Sequence, residues 1–119
     1  MPHVAEDILE FFDAPTEAEF VIEHCHEEFT SLCPMTGHPD FGSITVRYAP
    51  AAVCVELKSL KLYFHAFRNE GSFFEAITNR VCDDLARTMS PRWIQVVAEF
   101  RGRGGIRSSR LVQVLINFR

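Results

Sequence analysis

Tightly spaced metal ligands are missing from this 119-residue sequence. Its four cysteines, Cys25, Cys33, Cys54 and Cys82, form no CxxC pair, and its five histidines form no HxxxH pair. No metal is therefore expected. Thiols scattered without regular spacing suit a reducing compartment, so the expected location is cytoplasmic. Long apolar runs are also missing, which leaves nothing to read as a secretory signal or a membrane span, and no membrane partner is expected. Repeats and low-complexity segments are lacking. Positive charge is in deficit: 12 Lys and Arg against 16 Asp and Glu give a net charge of −4. Polyanion binders show the reverse balance, so no direct nucleic-acid partner is expected, and any phosphate site must come from a local basic patch. Tyr and Trp are scarce, at two and one, whereas Phe numbers eleven. That much ring surface suits subunit contacts as well as a core. A chain of this length that is 47% hydrophobic is sized for one globular domain.

What is present is concentrated in Cys33-Pro34-Met35-Thr36-Gly37-His38-Pro39-Asp40-Phe41. Pro34, Gly37 and Pro39 disfavour a helix or a central strand, which predicts a stiff turn. The turn opens on a potential nucleophile and closes on a potential proton donor. A thiolate attacks electrophilic carbon, and a carboxyl group delivers or takes a proton when its pKa suits. For an isolated Cys and Asp the plainer account is a buried structural thiol and a turn-capping carboxylate.

Residues 1–19 read as a peripheral N-terminal arm with a short apolar cluster at Ile8, Leu9, Phe11 and Phe12. Residues 20–119 read as a single domain. From Phe20 to Phe29 the pattern alternates, with His24 and His26 on one face and Cys25 and Glu27 on the other, which predicts a strand. Ser43 to Tyr48 is β-branched and alternating, a second strand. Glu56 to Arg68 switches to helical period, with Leu57, Leu60, Phe64 and Phe67 as an apolar stripe. Beside it Lys58, Lys61, His65 and Arg68 form a basic one. A longer helix starts at Ser72, with Ile77, Val81, Leu85 and Met89 inward, and stops at Ser90-Pro91. Trp93 to Phe100 is a strand, Arg101 to Gly105 a flexible basic connection, and Leu111 to Phe118 a last strand with Val112, Val114, Ile116 and Phe118 on one side. The order β-β-α-α-β-β predicts an α+β fold, an antiparallel sheet with two helices on one face. Apolar residues on the other face favour an oligomer.

Glu56-Leu57-Lys58-Ser59-Leu60-Lys61-Leu62-Tyr63 resembles the signature of the NADPH-dependent 7-cyano-7-deazaguanine reductases, the nitrile reductases of queuosine biosynthesis. Glu28-Phe29-Thr30-Ser31-Leu32-Cys33-Pro34 through Asp40-Phe41 resembles their nucleophile segment, and Phe67-Arg68-Asn69-Glu70-Gly71 and Arg103-Gly104-Gly105-Ile106 resemble further blocks. The blocks run in the family's order from about Ile8 to Ile106. The resemblance implies the tunnelling fold, subunits joined into an oligomeric barrel with sites between neighbours, and for this single-module form a homo-oligomeric decamer of two pentamers.

By the same resemblance Cys33 is the nucleophile that adds to the nitrile of a small-molecule deazapurine, 7-cyano-7-deazaguanine (preQ0), to give a thioimide. Asp40 is its proton donor, and the product is 7-aminomethyl-7-deazaguanine. Val55, Glu56, Leu57, Phe73, Phe74 and Glu75 fall at substrate-binding positions. Lys58, Lys61 and Arg103 fall at positions for the phosphates of the cofactor, NADPH. Plainer roles stand beside these. Ser72-Phe73-Phe74-Glu75 fits a capping box, Glu56 complements a helix N-terminus, and the basic stripe is a solvated face. Two positions depart from many relatives: Phe74 stands where they carry histidine, and Ile77 where some carry a cysteine that protects the nucleophile. Rival readings are a zinc enzyme of pterin type, an amidine-forming enzyme of archaeal tRNA modification, and an RNA-binding scaffold using Arg101, Arg103 and Arg107.

Overall fold

A computed structural model describes residues 3–101 and 104–115. The chain forms α1 (Ala5–Ile8), β1 (Phe11–Asp13), β2 (Ile22–Leu32), β3 (Pro39–Ala49), β4 (Val53–Val55), α2 (Leu57–His65), α3 (Phe74–Met89), β5 (Trp93–Phe100) and β6 (Ser108–Leu115). Four strands make an antiparallel sheet in the order β2-β3-β5-β6, and β1 pairs with β4 in a separate two-stranded ladder. The expected β-β-α-α-β-β plan is therefore present, with α1 and the small ladder added to it.

Period-two alternation builds the sheet. Ile94, Val96, Ala98 and Phe100 of β5 are buried, and Ile44, Val46 and Tyr48 of β3 lie beside them on the same face. The helices cover that face. Ile77, Val81, Leu85 and Met89 of α3 are all buried, the stripe that their fourfold spacing predicts. α3 ends at Ser90, whose left-handed backbone (φ 47°) turns the chain into Pro91. In α2 the buried residues are Ser59, Leu60, Tyr63 and Phe64, followed by Phe67. Leu57 corrects the expected stripe. It opens the helix just after β4 and points outward, 59% exposed.

Strand β2 runs past its expected end. His26 pairs with Ile44 and Phe29 with Gly42, so Glu27 and Glu28 together face Ser43 in a bulge. The extra residue keeps both His26 and Phe29 on the helix side and carries the strand on to Leu32. The arm is docked rather than loose. Ala5 and Leu9 enter the common core, Glu70 takes hydrogen bonds from His3 and Arg80, and Glu6 pairs with Arg87 at 2.8 Å. Tyr63 donates to Asp84 at 2.5 Å and ties α2 to α3. Burial, reinforced by that carboxylate, drives the Tyr63 pKa far up and keeps the hydroxyl a donor.

The open sheet face is mixed, not apolar as expected. Trp93, Val97 and Leu111 share it with an Arg47–Glu23 ion pair at 3.3 Å and a Gln95–Gln113 contact at 3.5 Å. No helix among the described residues is long and apolar enough to cross a membrane. Arg103, and the Ile116 and Phe118 expected in the last strand, lie outside the described residues.

Candidate active site

The hairpin between β2 and β3 is short and closed by its own backbone. Cys33 N–H donates to His38 O and Gly37 N–H to Cys33 O, both at 2.8 Å. Gly37 takes φ +75°, a conformation that glycine adopts without cost. The turn is narrower than its proline content suggests. Pro39 and Asp40 already belong to β3, paired with Leu32 and Ser31, and proline is tolerated there because it is the first residue of the strand. Cys33, the first residue after β2, and Asp40, the second residue of β3, are thus both half-buried at one end of the sheet.

A second strap brings in α3. Leu32 N–H donates to Glu70 O at 3.0 Å, and Ser72 N–H donates to Leu32 O at 3.1 Å. Both backbone groups of Leu32 are therefore bound to the connection between α2 and α3. Gly71 lies against this hairpin, where a Cβ would make ordinary contact with Pro34 Cα at 3.7 Å. Phe73, Phe74 and Glu75 follow this strap directly in the chain. Phe73 is the N-cap residue of α3 and is 55% exposed, a ring surface open to stacking. Phe74 is half-buried, with its ring 4.8 Å from that of Phe100, so packing already occupies it. The capping box suggested by Ser72 and Glu75 does not form, since the helix starts one residue later without a side-chain cap. Glu75 is exposed.

Val55, Glu56 and Leu57 sit elsewhere. Val55 N–H donates to the Tyr48 hydroxyl oxygen at 3.0 Å, and Tyr48 lies at the far end of β3 from Asp40. Eight residues of strand separate those two positions, about 26 Å. The Val55 side chain is 3% exposed and belongs to the core, so it is not available to a ligand. Glu56 does cap α2, accepting Lys58 N–H and Ser59 N–H at 2.8 Å each. Those two bonds hold its carboxyl below the ordinary carboxylate pKa. A carboxylate has about four acceptor sites, so capping leaves it able to accept from a ligand as well.

Between the edge of β2 and α2 runs a groove of about 670 Å³ that takes in Lys58, Lys61, His65 and Arg68, the whole predicted basic stripe. His24 and His26 line its other wall. The His26 ring stacks on Phe64 at 5.2 Å and lies 6.0 Å from the His65 ring. Burial lowers the pKa of both β2 histidines, and for His26 the neighbouring His65 and Arg68 push the same way against Glu28. The sequence offered these histidines only as strand alternation and as the third member of a helical stripe, signals too weak to place them in one groove. Cys25 lies against Thr45, whose hydroxyl donates to its sulfur at 3.2 Å. Among the described residues no three His, Cys, Asp or Glu side chains gather as a metal site.

The QueF-like protein family model matches residues 39–115, which include every candidate residue except Cys33. The NADPH-dependent 7-cyano-7-deazaguanine reductase of Pelodictyon phaeoclathratiforme (strain DSM 5477 / BU-1) is 54% identical over 102 residues, 85% of this chain and 88% of that protein. The protein of the same name from Rhodopirellula baltica is 50% identical over 107 residues, 89% of this chain and 88% of its own. With more than 100 of 119 residues aligned, these matches take in Cys33 as well. The Anaeromyxobacter sp. (strain K) protein of that name is 66% identical over 79 residues, a match that spans 65% of its length. Among solved structures, the apo form of the archaeosine synthase QueF-Like shares the fold, with a TM-score of 0.73 at 14% identity over 78% of this chain and 91% of that one. The family match over most of the chain, the relatives at half identity or more and the shared fold agree: the chain belongs to the QueF-like family.

Proposed function

We propose that this chain is an NADPH-dependent nitrile oxidoreductase that converts 7-cyano-7-deazaguanine to 7-aminomethyl-7-deazaguanine, in the cytoplasm, as part of queuosine tRNA-modification biosynthesis. The single observation that carries the reading is the strapped hairpin, which holds a half-buried thiol and a half-buried carboxyl at one end of the sheet and is bound through Leu32 to the segment leading into Phe73 and Glu75. The Cys33 thiolate adds to the nitrile carbon. The C–S bond forms, one C–N π bond breaks, and the nitrogen takes the proton of the Asp40 carboxyl, which leaves a thioimide and a carboxylate. Positioning by two paired strands contributes to the rate through orientation. Phe73 stacks on the deazapurine, and the Glu75 carboxylate accepts from its ring N–H and amino donors.

The groove cations Lys58 and Lys61 suit the phosphates of a dinucleotide, with Arg103 at the third position. When bound, NADPH supplies hydride, two equivalents per nitrile taken to amine. Residues 20–119 form the catalytic domain, and the arm 1–19 straps it. The two candidate substrate groups, Cys33–Asp40–Glu75 and Val55–Glu56–Leu57, stand at opposite ends of β3, which supports a site completed by a neighbouring subunit. The strands at the two ends of the sheet order, β2 and β6, are edges on which copies can join head to tail into a closed barrel, two pentameric rings making the decamer.

The test mixes protein, 7-cyano-7-deazaguanine and NADPH and follows NADPH absorbance, with mass spectrometry of protein plus nitrile alone. Two NADPH consumed per nitrile, and an adduct that disappears in Cys33→Ala, are expected. No NADPH oxidation, or an adduct unchanged in Cys33→Ala, refutes the reading. An adduct without NADPH turnover would instead favour an amidine-forming enzyme.

A further inference from the structure

Ser31 lies two residues before Cys33 and directly across the ladder from Asp40. It has no exposure to solvent, and its hydroxyl has no hydrogen-bond partner. The other buried small hydroxyls behave differently. Ser59 donates to Glu56 O at 2.7 Å and Thr78 donates to Phe74 O at 2.7 Å. A buried hydroxyl left unpaired works against folding, so its presence calls for another account. Residues directly opposite in an antiparallel pair have Cβ atoms about 4.5–5.5 Å apart. A rotation about one side-chain bond therefore brings Ser31 Oγ within hydrogen-bonding reach of the Asp40 carboxyl.

We propose that Ser31 is a positioning residue for nitrile addition, its hydroxyl held ready for the carboxylate that Asp40 becomes. The inference rests on the reading of Cys33 as nucleophile and Asp40 as acid. In that step the negative charge of the thiolate ends on Asp40, because the nitrile nitrogen carries the proton away. A donor aimed at a position where charge develops stabilises the transition state more than the ground state. Ser31 transfers no proton itself.

The experiment follows Cys33 adduct formation with 7-cyano-7-deazaguanine, without NADPH, in wild type, Ser31→Ala, Asp40→Asn and the double variant. In Ser31→Ala the rate at saturating nitrile falls roughly ten- to a hundredfold, the range for a hydrogen bond to a charged group. The half-saturating nitrile concentration is unchanged. The melting temperature is unchanged or higher, since an unpaired polar group has been removed. In the Asp40→Asn background, where no carboxylate forms, Ser31→Ala has no further effect on the rate. A Ser31→Ala rate within about twofold of wild type would overturn the inference, as would a lowered melting temperature or an equal loss in both backgrounds. A wild-type protein that forms no adduct fails the proposed function itself, so the two failures are distinguishable.

Discussion

Two inactive variants should restore each other. Cys33→Ala removes the proposed nucleophile near one end of β3. Glu56→Gln removes the carboxylate at the other end, while the remaining amide oxygen can still accept one of the two capping N–H groups. The two ends of β3 that these groups adjoin, at Asp40 and Tyr48, lie about 26 Å apart, far beyond the reach of a bicyclic base, which argues against one chain presenting both to one substrate. If a site combines the Cys33 end of one subunit with the Glu56 end of its neighbour, equal co-assembly leaves both ends intact in about one site in four. Co-expressed variants should therefore regain about a quarter of wild-type NADPH oxidation, read as absorbance loss. The same proteins purified separately and mixed without subunit exchange should show only their residual activities. Co-assembled protein no more active than the two variants added together would refute the shared site.

Other perturbations test the remaining parts. A Cβ on Gly42 would stand 2.3 Å from the Glu99 carbonyl oxygen and 3.1 Å from Phe100 Cα, both backbone atoms of the neighbouring β5. Gly42→Ala must push β3 and β5 apart, at about 1–3 kcal/mol or more, and should lower the melting temperature by roughly 5 °C or more; an unchanged melt contradicts it. Lys58→Ala and Lys61→Ala should each raise the Michaelis constant for NADPH about tenfold or more without affecting Cys33 adduct formation, and unaltered NADPH dependence removes the lysines from the cofactor site. For Glu70, burial raises the pKa, but hydrogen bonds from Arg80 and His3 outweigh it and hold the carboxyl below its ordinary 4.5. A depressed carboxyl pKa stabilises above the unfolded value and ceases to do so as pH falls through the folded one. The melting-temperature advantage of wild type over Glu70→Gln should thus be full above about pH 4.5 and shrink below it, and a constant gap down to pH 3 would contradict that.

Much of the fold was legible because its period was strong and local. β5 alternates without interruption, and α3 repeats a large apolar residue every four positions. The misreadings have physical causes that a local pattern does not carry. β2 was cut short because the bulge at Glu27–Glu28 breaks the alternation. β1 was read as part of an irregular arm because its partner β4, three residues long, lies some forty positions away. The sequence offers a helix-capping role for both glutamates, and only Glu56 takes it. Glu75 sits in a perfect capping-box spacing that the backbone does not use, since α3 starts at Phe74, whereas Glu56 caps with both oxygens. That difference bears on the site. Glu75 is exposed and does not cap α3, whereas Glu56 is engaged at the start of α2. The site residues were legible as motifs, but their arrangement was not, because the chain splits them. The open sheet face, with its ion pair and glutamines, gives little apolar drive for association. If copies join as proposed, the natural place for the contact is at the edges, with β2 and the basic groove of one copy against the β6 edge of the next.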